Sequence, residues 1–366
     1  MKIGITCYPT YGGSGIVATE LGMELAARGH EAHFISYAPP VRLLSDMDRV
    51  HYHEVEVSTY PLFAYPPYCL ALAARMADVA ERYHLDLLHV HYAVPHSVSA
   101  MLARQMLAPV RRLPFVTTLH GTDITLVGAE PAYFEITKFS TQASDAVTTV
   151  SDYLKERTLE VFQLTSDIEV IPNFINSDLY RPAEQPPAGP PKLIHISNFR
   201  PVKRPLDCIR IAAQVLRDHT VELWMVGDGP ERGPAERLAR ELGIERSVVF
   251  LGKQNNIERL LPQALVSLVP SDHEAFGLAA LEAMACEVVP VATRTGGVGE
   301  LIQDGENGFL EPVGDIDSQV ARVKLLLEDP ALRRRMAKRA GETARVRFAT
   351  TQIIPRYEEV YRRVLG

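Results

Sequence analysis

Cysteine is scarce in this chain. Cys7, Cys69, Cys208 and Cys286 are the only four in 366 residues, and no two stand at C-x-x-C or another metal-binding spacing. That pattern excludes a disulfide framework and a thiolate metal site, and it suits reduced thiols in a cytosolic enzyme. Basic blocks are missing as well. Apart from Arg333–Arg335 the lysines and arginines are dispersed and the formal charge is −7, so nucleic acid is not an expected partner. No apolar run reaches bilayer-spanning length, and the opening MKIGITCYP reads directly as a strand, so no membrane partner is expected and the expected location is the cytoplasm. What is present is an ordinary globular composition, 46% hydrophobic and 23% charged, in a chain too long for one core. Two domains follow.

Short apolar runs alternate with amphipathic stretches through the first half: KIGIT, IVATELGMELAARG, EAHFISY, CLALAARMADVAERY, LDLLHVH, SVSAMLARQML, FVTTLHG and AVTTVS. Strands joined by helical crossovers make a parallel sheet covered on both faces. The alternation stops near Tyr180 at YRPAEQPPAGPPK, whose prolines hold no regular structure, and resumes from KLIHIS to NGFLEP. The predicted fold is α/β: two doubly wound Rossmann-like domains, residues 1–180 and 181–349, facing a cleft at the carboxyl ends of their strands. A closing helix over 350–366 is free to cross back onto the first domain.

Candidate chemistry lies in loops at strand ends. TYGGSGIVATEL sets Gly12, Gly13, Ser14 and Gly15 between the first strand and the first helix, where backbone N–H groups can approach an anion. It is not G-x-G-x-x-G, and the second strand ends at Ala38-Pro39 without the acidic residue that grips a dinucleotide ribose, so no nicotinamide cofactor is expected. LHGTD ends another strand with His120 and Thr122. HVHYAVPH offers His89, His91 and His96, but only two share a strand face and no carboxylate is near in sequence, which argues against a metal. The pairs Asp46/Asp48 and Asp315/Asp317 match a spacing used by metal-dependent sugar transferases; the first lies in an irregular polar segment and the second reads as a helix cap. Neither a metal nor another cofactor is expected. SNFRPVKRPLD brings Arg200, Lys203 and Arg204 to a strand end, cations suited to a pyrophosphate leaving group.

In DHEAFGLAALEAMACEVVP, Glu274 and Glu282 stand eight residues apart. On one continuous helix they would be separated by roughly 12 Å along the axis, too far for an acid/base pair. The flanks favour a strand over 265–271, a loop over 272–276 and a helix over 277–286. Glu274 then sits at the mouth of a helix and Glu282 inside it, with the helix's free N–H groups between them. Such a pair can hold two parts of one long ligand; on spacing alone, two solvated glutamates are the alternative.

With TGG at 295–297, the N-terminal glycine loop and the basic loop, the E-x7-E chain resembles the retaining, metal-independent nucleotide-sugar transferases of glycosyltransferase family four over nearly its full length. AYPPY, HYAVPHSVSA, TTLHGTDIT, IPNFIN and ISNFRPVKR resemble more narrowly the members that join GlcNAc, taken from UDP-GlcNAc, to the 2-hydroxyl of L-malate at the start of bacillithiol synthesis. The resemblance implies that Glu282 holds the uridine ribose and Glu274 the sugar hydroxyls. It implies that the N–H groups of Phe276, Gly277 and Leu278 meet sugar and diphosphate, with Arg200 and Lys203 on the diphosphate, Gly15 and Asn198 completing the donor site, and His120 beside the reacting sugar. His120, Arg200, Lys203 and Glu274 would then carry catalysis. Ser14, Gly15, Tyr65, Tyr92 and Thr122 are the candidates for malate. The family usually has arginine five residues before the loop lysine; Asn198 stands there, and Arg200 is expected to supply the charge. Another sugar transfer, a UDP-GlcNAc 2-epimerase or a nucleotide-sugar-binding module without turnover stay open as readings, and so does the oligomeric state, a homodimer included.

Overall fold

The computed structural model describes residues 1–44, 47–58, 61–62, 64–165, 167–185 and 189–366. Asp46 lies outside the described residues. The chain divides into two compact units, Met1–Pro172 with Ile353–Gly366, and Asn173–Gln352.

The first unit holds β1 (Lys2–Thr6), β2 (Glu31–Ser36), β3 (Val50–Glu54), β4 (Leu87–His91), β5 (Phe115–Leu119), β6 (Ala146–Thr149) and β7 (Glu169–Val170). They form one sheet in the order β3-β2-β1-β4-β5-β6-β7, parallel throughout. Every residue of β4 and β5 is buried, as strands covered by helices on both faces require. The second unit repeats the plan with β8 (Lys192–Ile196), β9 (Glu222–Val226), β10 (Val248–Gly252), β11 (Val266–Val269), β12 (Val289–Thr293) and β13 (Phe309–Glu311), in the order β10-β9-β8-β11-β12-β13. Its core packs Leu193, Leu223, Val266 and Val289 from the sheet against Ile209, Val323 and Met336 from helices. In each sheet the strand order reverses beside its first strand, between β1 and β4 and between β8 and β11, and such switch points open a crevice at the carboxyl ends.

The units divide at Pro172, ahead of Tyr180, because Asn173–Tyr180 is packed into the second unit. Ile175 bridges to Ala349, and the buried Tyr180 hydroxyl donates to Glu282 Oε1 at 2.9 Å. The helix Thr350–Leu365 starts in the second unit and enters the first, where Tyr357 and Tyr361 are wholly buried and the Tyr361 hydroxyl lies 2.7 Å from His89 Nδ1. Asp315 does cap a helix, accepting from Ser318 N at 3.0 Å. Among the described residues no helix is long and apolar enough to cross a membrane.

Candidate active site

In the second unit the loops leaving β8 and β11 share the switch-point crevice. Lys203 Nζ, from the first loop, meets Glu274 Oε1, from the second, at 2.6 Å, and Ser271 Oγ donates to the same oxygen at 2.9 Å. The two side chains are 25% and 13% exposed, so the pair is shielded from water yet reachable. Its backbone is held from below. Gly297 N donates to Glu274 O at 2.9 Å, and Gly296, at φ +56, lies so close that a Cβ there would meet that oxygen at 1.9 Å. Asp272 N donates to Val202 O at 2.8 Å, joining one loop to the other.

Arg200 is exposed on the same loop. Arg204, which the sequence groups with Arg200 and Lys203, is engaged elsewhere: it pairs with Asp207 at 2.6 Å and Asp272 at 2.9 Å and so braces the loop. Asn198 Oδ1 is buried without a hydrogen-bond partner, an acceptor waiting for a donor. The residues pressing on this loop were missed in the sequence. A Cβ at Gly227 would meet Ser197 O at 1.8 Å, and one at Gly229 would meet Asn198 O at 2.0 Å. The signal was there as G-x-G directly after β9. Gly277, at φ +97, opens the helix Leu278–Ala285, whose first N–H groups have no intrahelical partner. Phe276 is buried against Phe348, ring centroids 5.6 Å apart, which anchors that turn. Glu282 lies inside the helix, buried and bonded to Tyr180. The expected strand, loop and helix are all present, with Glu274 at the mouth and Glu282 inside.

In the first unit the loops after β1, β4 and β5 are neighbours at the switch point. Tyr8 packs edge-on against Tyr92 at 5.2 Å, Tyr92 stacks on His120 at 5.9 Å, and the Tyr92 hydroxyl is hydrogen-bonded to Thr122 Oγ1. Tyr92 holds φ +89, a conformation that residues other than glycine rarely adopt and that marks functional turns. Ser14 and Gly15 open the helix after β1, and a Cβ at Gly15 would meet Tyr8 O at 2.5 Å, so the close approach requires glycine. The buried Asp123 organises the turn by accepting from the backbone N–H of Gly121 at 2.8 Å, His120 at 3.1 Å and Ala93 at 3.3 Å. Burial raises its carboxyl to about 6 in spite of those donors. Tyr65 is different: it is 86% exposed on the segment before the helix Tyr68–Tyr83, outside this aromatic group.

The three histidines of HVHYAVPH do not converge on a common point. His89 sits between Tyr361 and Thr118, at 2.7 Å from each, His96 Nδ1 donates to His91 O at 2.6 Å, and His91 Nδ1 lies 2.9 Å from His120 Nε2. His91 Nε2 is buried without a partner. A buried N–H without an acceptor is the costlier orphan, so the His91 proton belongs on Nδ1, pointing at His120. His120 Nε2 is then an acceptor and its own proton sits on Nδ1. Burial lowers the His120 pKa to about 3, and that of His91 well below its usual value, so both are neutral near pH 7. The buried Cys7 thiol is pushed up to about 12, far from a thiolate nucleophile.

Residues 11–179 match the family described as Glycosyltransferase Family 4, and residues 176–343 the one described as Glycosyl transferases group 1. Over 373 residues the chain is 45% identical to the N-acetyl-alpha-D-glucosaminyl L-malate synthase of Bacillus anthracis, covering 100% of this chain and 97% of that protein. The chain is a family-four glycosyltransferase. An uncharacterized glycosyltransferase of Methanocaldococcus jannaschii is 27% identical to it, covering 99% of this chain and 98% of its own. In three dimensions the glycosyltransferase matches Anabaena Alr3699/HepE, solved in complex with UDP and glucose, with a TM-score of 0.81 at 22% identity over 98% of each chain. The likeness establishes the B-type fold of two Rossmann-like domains. Within that fold, the sequence-derived donor candidates of this glycosyltransferase other than Gly15 lie at the switch point of the second unit, whereas Gly15 lies in the first, on the helix after β1. Most of the acceptor candidates gather at the switch point of the first.

Proposed function

We propose that this glycosyltransferase moves GlcNAc from UDP-GlcNAc to the 2-hydroxyl of L-malate with retention at the anomeric carbon, releasing UDP. The observation that carries the reading is the 45% identity, end to end, with a protein named for that product. The geometry supports the donor half. The helix N-terminus at Gly277, the Lys203–Glu274 pair and the unpartnered Asn198 Oδ1 offer N–H groups, a cation, a carboxylate and an acceptor to a sugar diphosphate. Glu282 would hold the ribose and Glu274 the sugar hydroxyls, with Arg200 and Lys203 stabilising the diphosphate as its bond to the anomeric carbon breaks. That bond's electrons leave with UDP, the malate oxygen forms the new bond on the same face, and its proton passes to the departing β-phosphate. His120, neutral and oriented by His91, would present Nδ1–H to the reacting sugar as a fixed donor.

The acceptor half rests on Ser14, Gly15, Tyr92 and Thr122, which offer hydroxyls and N–H groups to a dicarboxylate. Removing one carboxylate strands buried donors at about 1–3 kcal/mol each. L-malate should therefore outperform L-lactate by about tenfold or more in UDP release, and D-malate should fail because its hydroxyl points away from the anomeric carbon. Thr122→Val, which breaks the bond to Tyr92, should weaken malate and leave UDP-GlcNAc binding nearly intact. Equal rates with lactate and malate would overturn the acceptor assignment.

A further inference from the structure

Among the described residues, one group of side chains brings three metal-ligand atoms together: Glu31, His33 and His51, all within 4.8 Å of one another. The sheet explains why. Glu31 and His33 are two apart on β2 and so share a face, and His51 on the edge strand β3 is the register partner of His33. The His33 ring is wholly buried, its Nε2 has no hydrogen-bond partner, and the Glu31 carboxylate lies 3.7 Å from that nitrogen. On its other side His33 Nδ1 lies 3.0 Å from His53 Nε2. Holding the proton at Nδ1, with His53 Nε2 as its acceptor, directs the Nε2 lone pair toward Glu31 and His51, and an acceptor on the far ring nitrogen is how metal-bound histidines are usually oriented. His51 is exposed, so the group is open to solvent.

We propose that Glu31, His33 and His51 bind a divalent transition metal of the Zn²⁺ type, which clasps the edge strand β3 onto β2. Two imidazoles and a carboxylate form a ligand set that such ions accept, with the fourth position open to water. Lys2 Nζ, 3.2 Å from Glu31 Oε2, neutralises the carboxylate and would yield its place to the ion. The site lies on strands other than those bearing the donor and acceptor loops, so it is independent of the transferase reading.

The test uses full-length protein without an affinity tag, stripped with EDTA, dialysed and titrated with ZnCl₂ by calorimetry. The expected result is one tight Zn²⁺ site in the wild type that His51→Ala abolishes. His51 is exposed, so its replacement leaves the fold intact. His53→Phe, which touches no ion, should weaken that site by about 10–100-fold through loss of the orienting bond. Saturating Zn²⁺ at about a hundredfold excess over Kd should raise Tm by roughly 5 °C in the wild type and not in His51→Ala. Equal Zn²⁺ affinity and stoichiometry in wild type and His51→Ala, or no tight site in the wild type, would overturn the proposal.

Discussion

Of the four wholly buried imidazoles of the first unit, the three on and just after β4, His89, His91 and His96, make its central strands sensitive to acid. Desolvation dominates each shift: it lowers His89 to about 3, His96 to about 4 and His91 well below its usual value. At these three positions the unfolded chain therefore binds protons that the folded one refuses. Stability from this source is complete above about pH 6.5, the unfolded value, and drains away as the pH falls toward the folded values. At pH 5.5 each group costs about 1.4 kcal/mol, and the three together about 4 kcal/mol. Asp123 works in the opposite direction. Its folded value, raised to about 6, means that it takes up a proton in the folded state as the pH falls, which returns about 1 kcal/mol over the same range. From these four groups the net loss between pH 7.5 and 5.5 is about 3 kcal/mol, a large part of the 5–15 kcal/mol that holds a typical domain, and His33, His53 and His120, lowered to about 4, 4 and 3 mainly by burial, add to it in the same direction.

Segment-resolved hydrogen exchange separates the units. Amides of β4 and β5 should lose at least about two orders of magnitude of protection, after correction for intrinsic rates, between those pH values. Those of β9 should lose much less, since its neighbour β8 carries the single buried imidazole of His195, lowered to about 4 mainly by burial. Protection in β4 and β5 that changes less than tenfold would show that the buried imidazoles do not set the stability of the first unit.

Glu282→Gln should chiefly weaken donor binding, by about 1.5–3 kcal/mol for a charged hydrogen bond to the ribose, and a calorimetric change within twofold would remove that role. Lys203→Ala should lower kcat more than donor affinity, because charge accumulates on the leaving diphosphate in the transition state; a loss confined to the donor KM would refute this. Turnover should persist in excess EDTA, since the crevice of the second unit sets a lysine and a helix N-terminus where a metal-dependent transferase places paired aspartates, and collapse in EDTA would contradict the assignment.

The parallel sheets were legible because alternation of apolar and amphipathic runs is a local property of the chain. So was the position of the E-x7-E segment, which the buried strand before it and the glycine turn at its centre locate without knowledge of the rest. What sequence could not supply were partners brought together from afar. Tyr180 looks like the end of a domain until its hydroxyl is seen on Glu282, 102 residues away. Arg204 looks like a third ligand-facing cation until Asp272 is found beside it. His91 ends β4 and His120, 29 residues on, follows directly after the adjacent β5, and their pairing depends on register, which periodicity leaves open. Gly227 and Gly229 reveal their purpose only through the backbone they press against.

The helix Thr350–Leu365 makes the first unit a discontinuous piece of polypeptide. Residues through Pro172 leave the ribosome early, yet Tyr357 and Tyr361, which close over His89, arrive only after the whole of Asn173–Gln352 has been made. Through that interval the nascent sheet is left without part of its cover, an apolar surface open to chaperones and to self-association. The amino-terminal half, although made first, cannot be completed before the last helix is made, and a fragment cut at Pro172 would lack that cover altogether.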